Sequence, residues 1–78
     1  GIYLRLESGQ DPALPAVQNL LGIFCPDNAG YLPERVFFYF RDSKKYHPAP
    51  RELWVLWNPV LERELKKLLG EENVVFKP

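Results

Sequence analysis

Residues 35–41, RVFFYFR, are the stretch that decides the fold of this chain. β-branched and aromatic residues favour strands, and this unbroken run of them predicts a strand that crosses a sheet. Successive side chains of a strand point to opposite faces, so the run presents two different surfaces. One surface carries Val36, Phe38 and Phe40, and the other carries Phe37, Tyr39 and Arg41.

A second strand is predicted upstream, in residues 2–7, IYLRLE. Aliphatic side chains alternate there with polar or aromatic ones, which is typical of a half-buried strand. The aliphatic set is Ile2, Leu4 and Leu6, and the other set is Tyr3, Arg5 and Glu7. We expect the aliphatic set to pack on the same side of the sheet as Val36, Phe38 and Phe40, facing the helices.

Two helices are predicted from matching start signals and apolar stripes. Each begins with a residue that caps helices, followed by a proline suited to the first helical position. These pairs are Asp11 with Pro12, and Asn58 with Pro59. At 100° per residue, the apolar residues of each helix fall within an arc of about 80–100°. The first stripe is Leu14, Val17, Leu21 and Phe24, and the second is Leu61, Leu65, Leu68 and Leu69, with Gly70 suited to the helix end.

The remaining segments complete an order of β-α-β-β-α-β. Residues 44–47 predict a returning strand, but Pro48 and Pro50 lack the N–H groups of a ladder, so this strand belongs at an edge or ends early. Residues 53–56 suggest one more brief strand, residues 25–34 are predicted to form a loop, and residues 73–77 a final strand. The predicted class is therefore α/β (α+β), a small single-layer mixed sheet in one domain spanning residues 1–78.

The predicted sheet has one covered face and one open face. The element order resembles the split βαβ arrangement, in which both helices pack on one side of the sheet. The open face is then a candidate contact face, and its members are Tyr3, Arg5, Phe37, Tyr39 and Arg41. Four interpretations stay open: another domain covers this face, the small sheet uses the aromatic residues for its own packing, a partner protein binds the face, or single-stranded nucleic acid stacks on its rings.

Other candidate contact residues lie in residues 41–57. Lys44 and Lys45 form a candidate basic loop, which is typical of a solvated hairpin tip and also suits phosphate contact. Trp54 and Trp57 flank the entry to the second helix and are candidate anchors for a protein partner.

No catalytic, metal or cofactor site is predicted from this sequence. His47 is the only histidine and Cys25 the only cysteine, so the chain offers none of the paired ligand spacings that metal sites use. The sequence contains neither the G-x-x-x-x-G-K pattern of a phosphate-binding loop nor the G-x-S-x-G pattern that presents a nucleophilic serine. Ten basic and ten acidic residues cancel, which leaves little long-range attraction to nucleic acid, so DNA binding is expected to be local and weak.

Several segments together resemble the C-terminal region of the alpha subunit of bacterial DNA polymerase III. They are IYLRLES, VFFYFRDSKK, APRELWV and LLGEENVVFK, in this order along nearly the whole chain. The resemblance implies an excised module of a longer chain that is a DNA-directed DNA polymerase (a nucleotidyltransferase), and the absence of any methionine fits a fragment. It also implies that the catalytic residues lie elsewhere in the parent chain.

The functional expectation follows from this resemblance. It implies a non-catalytic module of the bacterial cytoplasm that contacts the clamp-loader tau subunit and neighbouring domains of the parent polymerase during DNA replication. No membrane partner, metal or cofactor is expected. The alternative function is a single-stranded nucleic-acid-binding module that uses Tyr3, Phe37, Tyr39 and the nearby arginines.

Overall fold

The computed structural model describes residues 1–26 and 32–77, and it has the predicted α/β class. The elements in chain order are β1 (Ile2–Leu6), α1 (Ala13–Ile23), β2 (Val36–Phe40), β3 (Lys45–Pro48), α2 (Pro59–Leu69) and β4 (Val74–Phe76). Short 3-10 turns at Arg51–Leu53 and Glu71–Asn73 precede α2 and β4. Part of the predicted loop, residues 27–31, lies outside the described residues.

The four strands form one mixed sheet in the order β3-β2-β1-β4. β1 and β2 are parallel neighbours, and β3 and β4 add to them as antiparallel edge strands. The split arrangement is therefore wrong, because that arrangement places another strand between the two parallel ones. All four side chains of β3 are exposed and one of them is Pro48, which lacks an N–H group, so β3 is unsuitable as a central strand. The apolar β2 is suited to pairing on both sides. The predicted edge position of β3 is confirmed.

Local side-chain caps start both helices. The Asp11 carboxylate accepts hydrogen bonds from the backbone N–H groups of Ala13, at 2.9 Å, and Glu7, at 3.1 Å. Asn58 Oδ1 accepts from the first N–H groups of α2, those of Val60 and Leu61, both at 3.0 Å. The bonds from Ala13, Val60 and Leu61 satisfy N–H groups that have no partner inside their helices, and the bond from Glu7 ties the end of β1 to the start of α1.

The core lies between one face of the sheet and both helices. Its central members are almost fully buried, and they come from β1, β2, both helices and β4. They are Ile2, Leu4, Leu6, Val17, Leu21, Val36, Phe38, Leu61, Leu65 and Val74. The predicted inward faces of β1 and β2 are thus confirmed, and no helix in residues 1–26 and 32–77 lies over the opposite face of the sheet.

Two expectations about apolar segments are wrong. Leu68 is 40% exposed, because the core-facing side of α2 is narrower than the leucine stripe in the sequence. Residues 53–56 form no strand: a 3-10 turn ends at Leu53, and Val55 makes a single bridge to Glu34. Val55 is nevertheless completely buried. The apolar residues at 53–56 therefore indicate burial and not a strand with a hydrogen-bond ladder.

Candidate functional site

Four aromatic rings form a continuous cluster on the open face of the sheet. The register places Tyr3 beside Phe37 and Tyr39 beside Tyr46 on neighbouring strands. The rings of Tyr3 and Phe37 stack with centroids 5.1 Å apart, and Tyr46 lies 4.9 Å from Tyr39 and 5.8 Å from Tyr3. We call these four residues the open-face aromatic cluster.

Tyr46 is the member of this cluster that the sequence prediction missed. It is 57% exposed, whereas Tyr3, Phe37 and Tyr39 are half-buried. The signal was available in the alternation of the predicted edge strand, because residues opposite each other in an antiparallel pair share one face. The sequence alone does not give the register between that strand and β2, which places Tyr46 opposite Tyr39.

Basic side chains surround the aromatic cluster. Arg5, Arg41 and Lys44 line a concavity together with the rings of Tyr39 and Tyr46, and we call it the basic concavity. The structure thus brings Arg5, Tyr39 and Arg41 together, as predicted, and adds Lys44 to them. Lys77, which sequence reasoning had not selected, places Nζ 5.6 Å from the ring centre of Tyr3.

Arg41 is held at its place at the end of β2. Its Nη2 donates a hydrogen bond of 2.5 Å to Asn73 Oδ1, and its Nη1 lies 3.8 Å from Glu7 Oε1. The Arg41 backbone N–H donates to Leu6 O at 2.9 Å. These contacts order the guanidinium at the rim of the basic concavity while 45% of the side chain stays exposed.

The two lysines of the candidate basic loop point in different directions. Lys44 lies in the turn between β2 and β3, in the left-handed region with φ 57°, and its N–H donates to Phe40 O at 2.8 Å. Lys45 is the register partner of Phe40, whose side chain packs against the core, so Lys45 lies on the helix side of the sheet. Lys44 therefore joins the candidate contact face and Lys45 does not.

The two tryptophans lie apart from the aromatic cluster. Trp54 Nε1 donates to Ala49 O at 3.1 Å, and the guanidinium carbons of Arg35 and Arg51 lie 5.5 and 5.4 Å from its ring centre. Trp57 packs against the core and stacks on Phe76 with centroids 5.2 Å apart. Both indoles are half-buried, and neither lines the basic concavity.

A second exposed apolar surface lies between the two helices. Leu20, Ile23 and Leu68 line a groove there, with Ile23 75% exposed. Its charged lining residues are one acid and one base, Glu64 and Lys67, whose side chains pair at 3.4 Å. Sequence reasoning had not identified this groove, because Ile23 falls outside the predicted stripe of α1 and Leu68 was assigned to the core.

The charges of this neutral chain are distributed unevenly. Arg5, Arg41, Lys44 and Lys77 surround the open-face aromatic cluster. On the helix side acids and bases are mixed: two glutamates and three basic residues line a shallow groove along α2, and Glu64 pairs with Lys67 in the groove between the helices. The open face is therefore locally positive although the net charge of the chain is zero.

No cluster of three or more metal-ligating side chains occurs in residues 1–26 and 32–77. His47 is exposed on β3, with its ring 5.0 Å from that of Phe40. Backbone hydrogen bonds from Ala13 and Glu7 lower the pKa of the Asp11 carboxyl at the start of α1. Within the same described ranges, no helix has the length and apolarity to cross a membrane.

The fold and this surface define a small α/β domain with one covered and one open sheet face. No protein-family model matches the chain, and searches among curated proteins and solved structures find no significant match.

Proposed function

We propose that this chain is a non-catalytic protein-contact module of the bacterial replicative DNA polymerase, from the C-terminal region of the polymerase III alpha subunit. In this proposal it binds the clamp-loader tau subunit in the cytoplasm during DNA replication. The polymerase chemistry belongs to other parts of the parent chain. The sequence resemblance supports the identity of the parent and of the partner.

One structural observation carries the contact function: the open-face aromatic cluster has no described helix over it. Tyrosine and arginine are enriched among the residues that dominate binding energy at protein interfaces. The rings of Tyr39 and Tyr46 already contact each other, so they lose little conformational freedom when a partner covers them. Asn73 and Glu7 hold the Arg41 side chain, so it also loses little conformational freedom on binding.

Calorimetric titration of the 78-residue chain with the C-terminal region of tau tests this proposal. We expect saturable binding, and we expect Tyr46→Ala to weaken it by about 5–30-fold, as for an interface anchor worth ~1–2 kcal/mol. Tyr46 is 57% exposed, so this variant should keep its fold, and circular dichroism checks that it does.

Ile23→Ser is the matched control, because Ile23 is also an exposed apolar residue but lies in the groove between the helices. The control should bind tau as the unsubstituted chain does. A folded chain that does not bind tau at high micromolar concentration would refute the tau assignment. If Ile23→Ser weakened binding and Tyr46→Ala did not, the contact would lie on the helix side instead.

Neighbouring domains of the parent polymerase are the second class of protein partner in this proposal. A domain that packed on the open face within the parent chain would compete with tau for the aromatic cluster. Limited proteolysis of the parent chain, with and without tau, would report which of the two covers the face. Protection of the turn at residues 41–44 without tau would favour the neighbouring domain.

Single-stranded nucleic acid is the second candidate ligand, and the uneven charge distribution favours it. The four cations beside the open-face cluster provide local attraction to phosphates that the neutral net charge conceals. A fluorescent thymidine oligonucleotide should then bind in 50 mM salt, lose affinity steeply as the salt is raised, and fail to bind Tyr39→Ala. Affinity that is independent of salt and of Tyr39 would exclude this mode of binding.

A further inference from the structure

We infer that the basic concavity receives an acidic segment of the partner protein. Carboxylates of that segment would pair with Arg5, Arg41 and Lys44, and its apolar atoms would pack on the rings of Tyr39 and Tyr46. The inference rests on the proposed protein-contact function, and it adds the chemical class of the segment that binds.

Charge complementarity supports an acidic occupant. Three cations line the concavity, and no carboxylate lines it. Among the described residues, Arg41 pairs with Glu7, whereas Arg5 and Lys44 form no salt bridge. The nearest acid along the chain in the turn, Asp42, accepts a hydrogen bond of 2.7 Å from the backbone N–H of Ser43. Two cations thus converge on one concavity without a counter-charge from the described chain.

Rigid elements fix the positions of these cations. Arg5 lies on the central strand β1, and Arg41 is held by Asn73 at the end of β2. The left-handed backbone of Lys44 belongs to a tight turn closed by its N–H bond to Phe40 O. The backbone positions of all three residues and the guanidinium of Arg41 are therefore set before a ligand binds, which lowers the entropy lost on binding.

The ring geometry favours a peptide over nucleic acid at this place. Tyr3 stacks on Phe37 and has the Lys77 ammonium near its ring, while Tyr46 packs against both Tyr3 and Tyr39. A nucleobase that stacked inside the cluster would have to separate rings that already contact each other. A carboxylate needs only the N–H donors at the rim, and aliphatic atoms need only the outer surface of the rings.

The groove between the helices provides the contrast. Its Glu64 and Lys67 side chains neutralise each other at 3.4 Å, so its charges give no preference for an anionic partner. The same substitution can therefore be made on both sides of the molecule. Lys44→Glu reverses a charge at the basic concavity, and Lys67→Glu reverses one on α2.

The experiment measures how these two variants, and Arg5→Glu, bind three probes by fluorescence anisotropy. The probes are the tau C-terminal region, a synthetic peptide of alternating glutamate and leucine, and a thymidine oligonucleotide. A peptide of alternating glutamine and leucine is the control for charge. We expect Lys44→Glu and Arg5→Glu each to weaken tau binding by about tenfold or more, and Lys67→Glu to change it less than twofold.

The probes also separate the possible failures. The glutamate peptide should compete with tau for the unsubstituted chain, and the glutamine peptide should not. Equal tau affinity of Lys44→Glu, Arg5→Glu and the unsubstituted chain would overturn the acidic-segment inference and leave the protein-contact function standing. Absence of tau binding to the folded chain would refute the tau assignment, and loss of glutamate-peptide binding in Lys44→Glu would then still support the acidic preference of the concavity.

Two further outcomes would overturn the inference. In the first, the oligonucleotide binds more tightly than the tau region and the glutamate peptide do, and Lys44→Glu abolishes oligonucleotide binding. This result would assign the concavity to nucleic acid. The other is failure of the glutamate peptide to bind or compete at all. Each substituted side chain is exposed, so every variant is expected to fold, and its circular dichroism spectrum provides the check.

Discussion

Replacing Leu65 with alanine should destabilise the domain several times more than replacing Leu68, although both leucines belong to one apolar stripe in the sequence. The structure separates them: Leu65 is completely buried in the core, and Leu68 is 40% exposed beside the groove between the helices. The two substitutions remove the same atoms from the same helix, so the comparison isolates burial from helix propensity.

The expected difference can be worked out from burial. A buried Leu→Ala change costs ~2–5 kcal/mol, because the transfer free energy is lost and a cavity remains. At Leu68 the cost should be about 1 kcal/mol, because much of the side chain already contacts water and the space left behind is open to solvent. At ~0.05–0.15 kcal/mol per residue, 78 residues give a total stability of ~4–12 kcal/mol, so Leu65→Ala removes a large part of it.

Urea unfolding followed by far-ultraviolet circular dichroism and tryptophan fluorescence measures both variants. The midpoint should fall markedly for Leu65→Ala and little for Leu68→Ala, with similar slopes. In thermal unfolding, Leu65→Ala should lower Tm by about 8 °C or more. If Leu65→Ala does not fold, Leu65→Val provides a milder core change for the same comparison. Equal midpoints for the two alanine variants would refute the placement of α2 on the sheet.

Three more predictions concern local interactions. Asn58→Ala should lower the free energy of unfolding by ~1 kcal/mol, because two N–H groups of α2 lose their acceptor. Asn58→Asp should retain more stability, because a carboxylate can also accept these bonds. Equal urea midpoints for the two variants would contradict the cap. Backbone hydrogen bonds lower the pKa of the Asp11 carboxyl, so its contribution is complete above the unfolded pKa of about 4 and is lost as the pH falls through the folded value. The midpoint difference between the unsubstituted chain and Asp11→Asn should therefore shrink in acid, and a constant difference would count against the cap. Gly70→Ala should destabilise the domain by ~1–2 kcal/mol, because Gly70 has a φ of +95°. Gly22→Ala should be neutral or stabilising, because Gly22 lies on α1 with open space around it. Urea unfolding that gave both changes the same sign would refute this contrast.

Much of the local structure could be predicted because its causes are local. The alternation in residues 2–7 fixed which side chains of β1 enter the core, and Ile2, Leu4 and Leu6 are all buried. Asp11 and Asn58 marked the helix starts, because a cap depends on N–H groups only two or three residues away. The same alternation separated Tyr3, Phe37 and Tyr39 from the core.

The arrangement of the strands could be predicted only in part. Pro48 excluded β3 from the centre of the sheet, and this signal already argued against the split arrangement that the element order suggested. With β3 at an edge, the apolar β2 lies next to β1, as the structure has it.

The sequence by itself determined two faces for each strand, the two helix starts and the edge position of β3, since these depend on alternation, caps and missing N–H groups within short segments. Only the tertiary structure decided how the open face is completed and which of its residues meet. Register brings Tyr46 to Tyr39, the turn places Lys44 beside Arg5 while Lys45 lies on the helix side, and the packing of α2 leaves Leu68 exposed. The physical reason is that these relations depend on how strands pair and how elements pack, which no short segment specifies by itself. For the same reason, a chain with no net charge has a concavity that three cations line without a carboxylate.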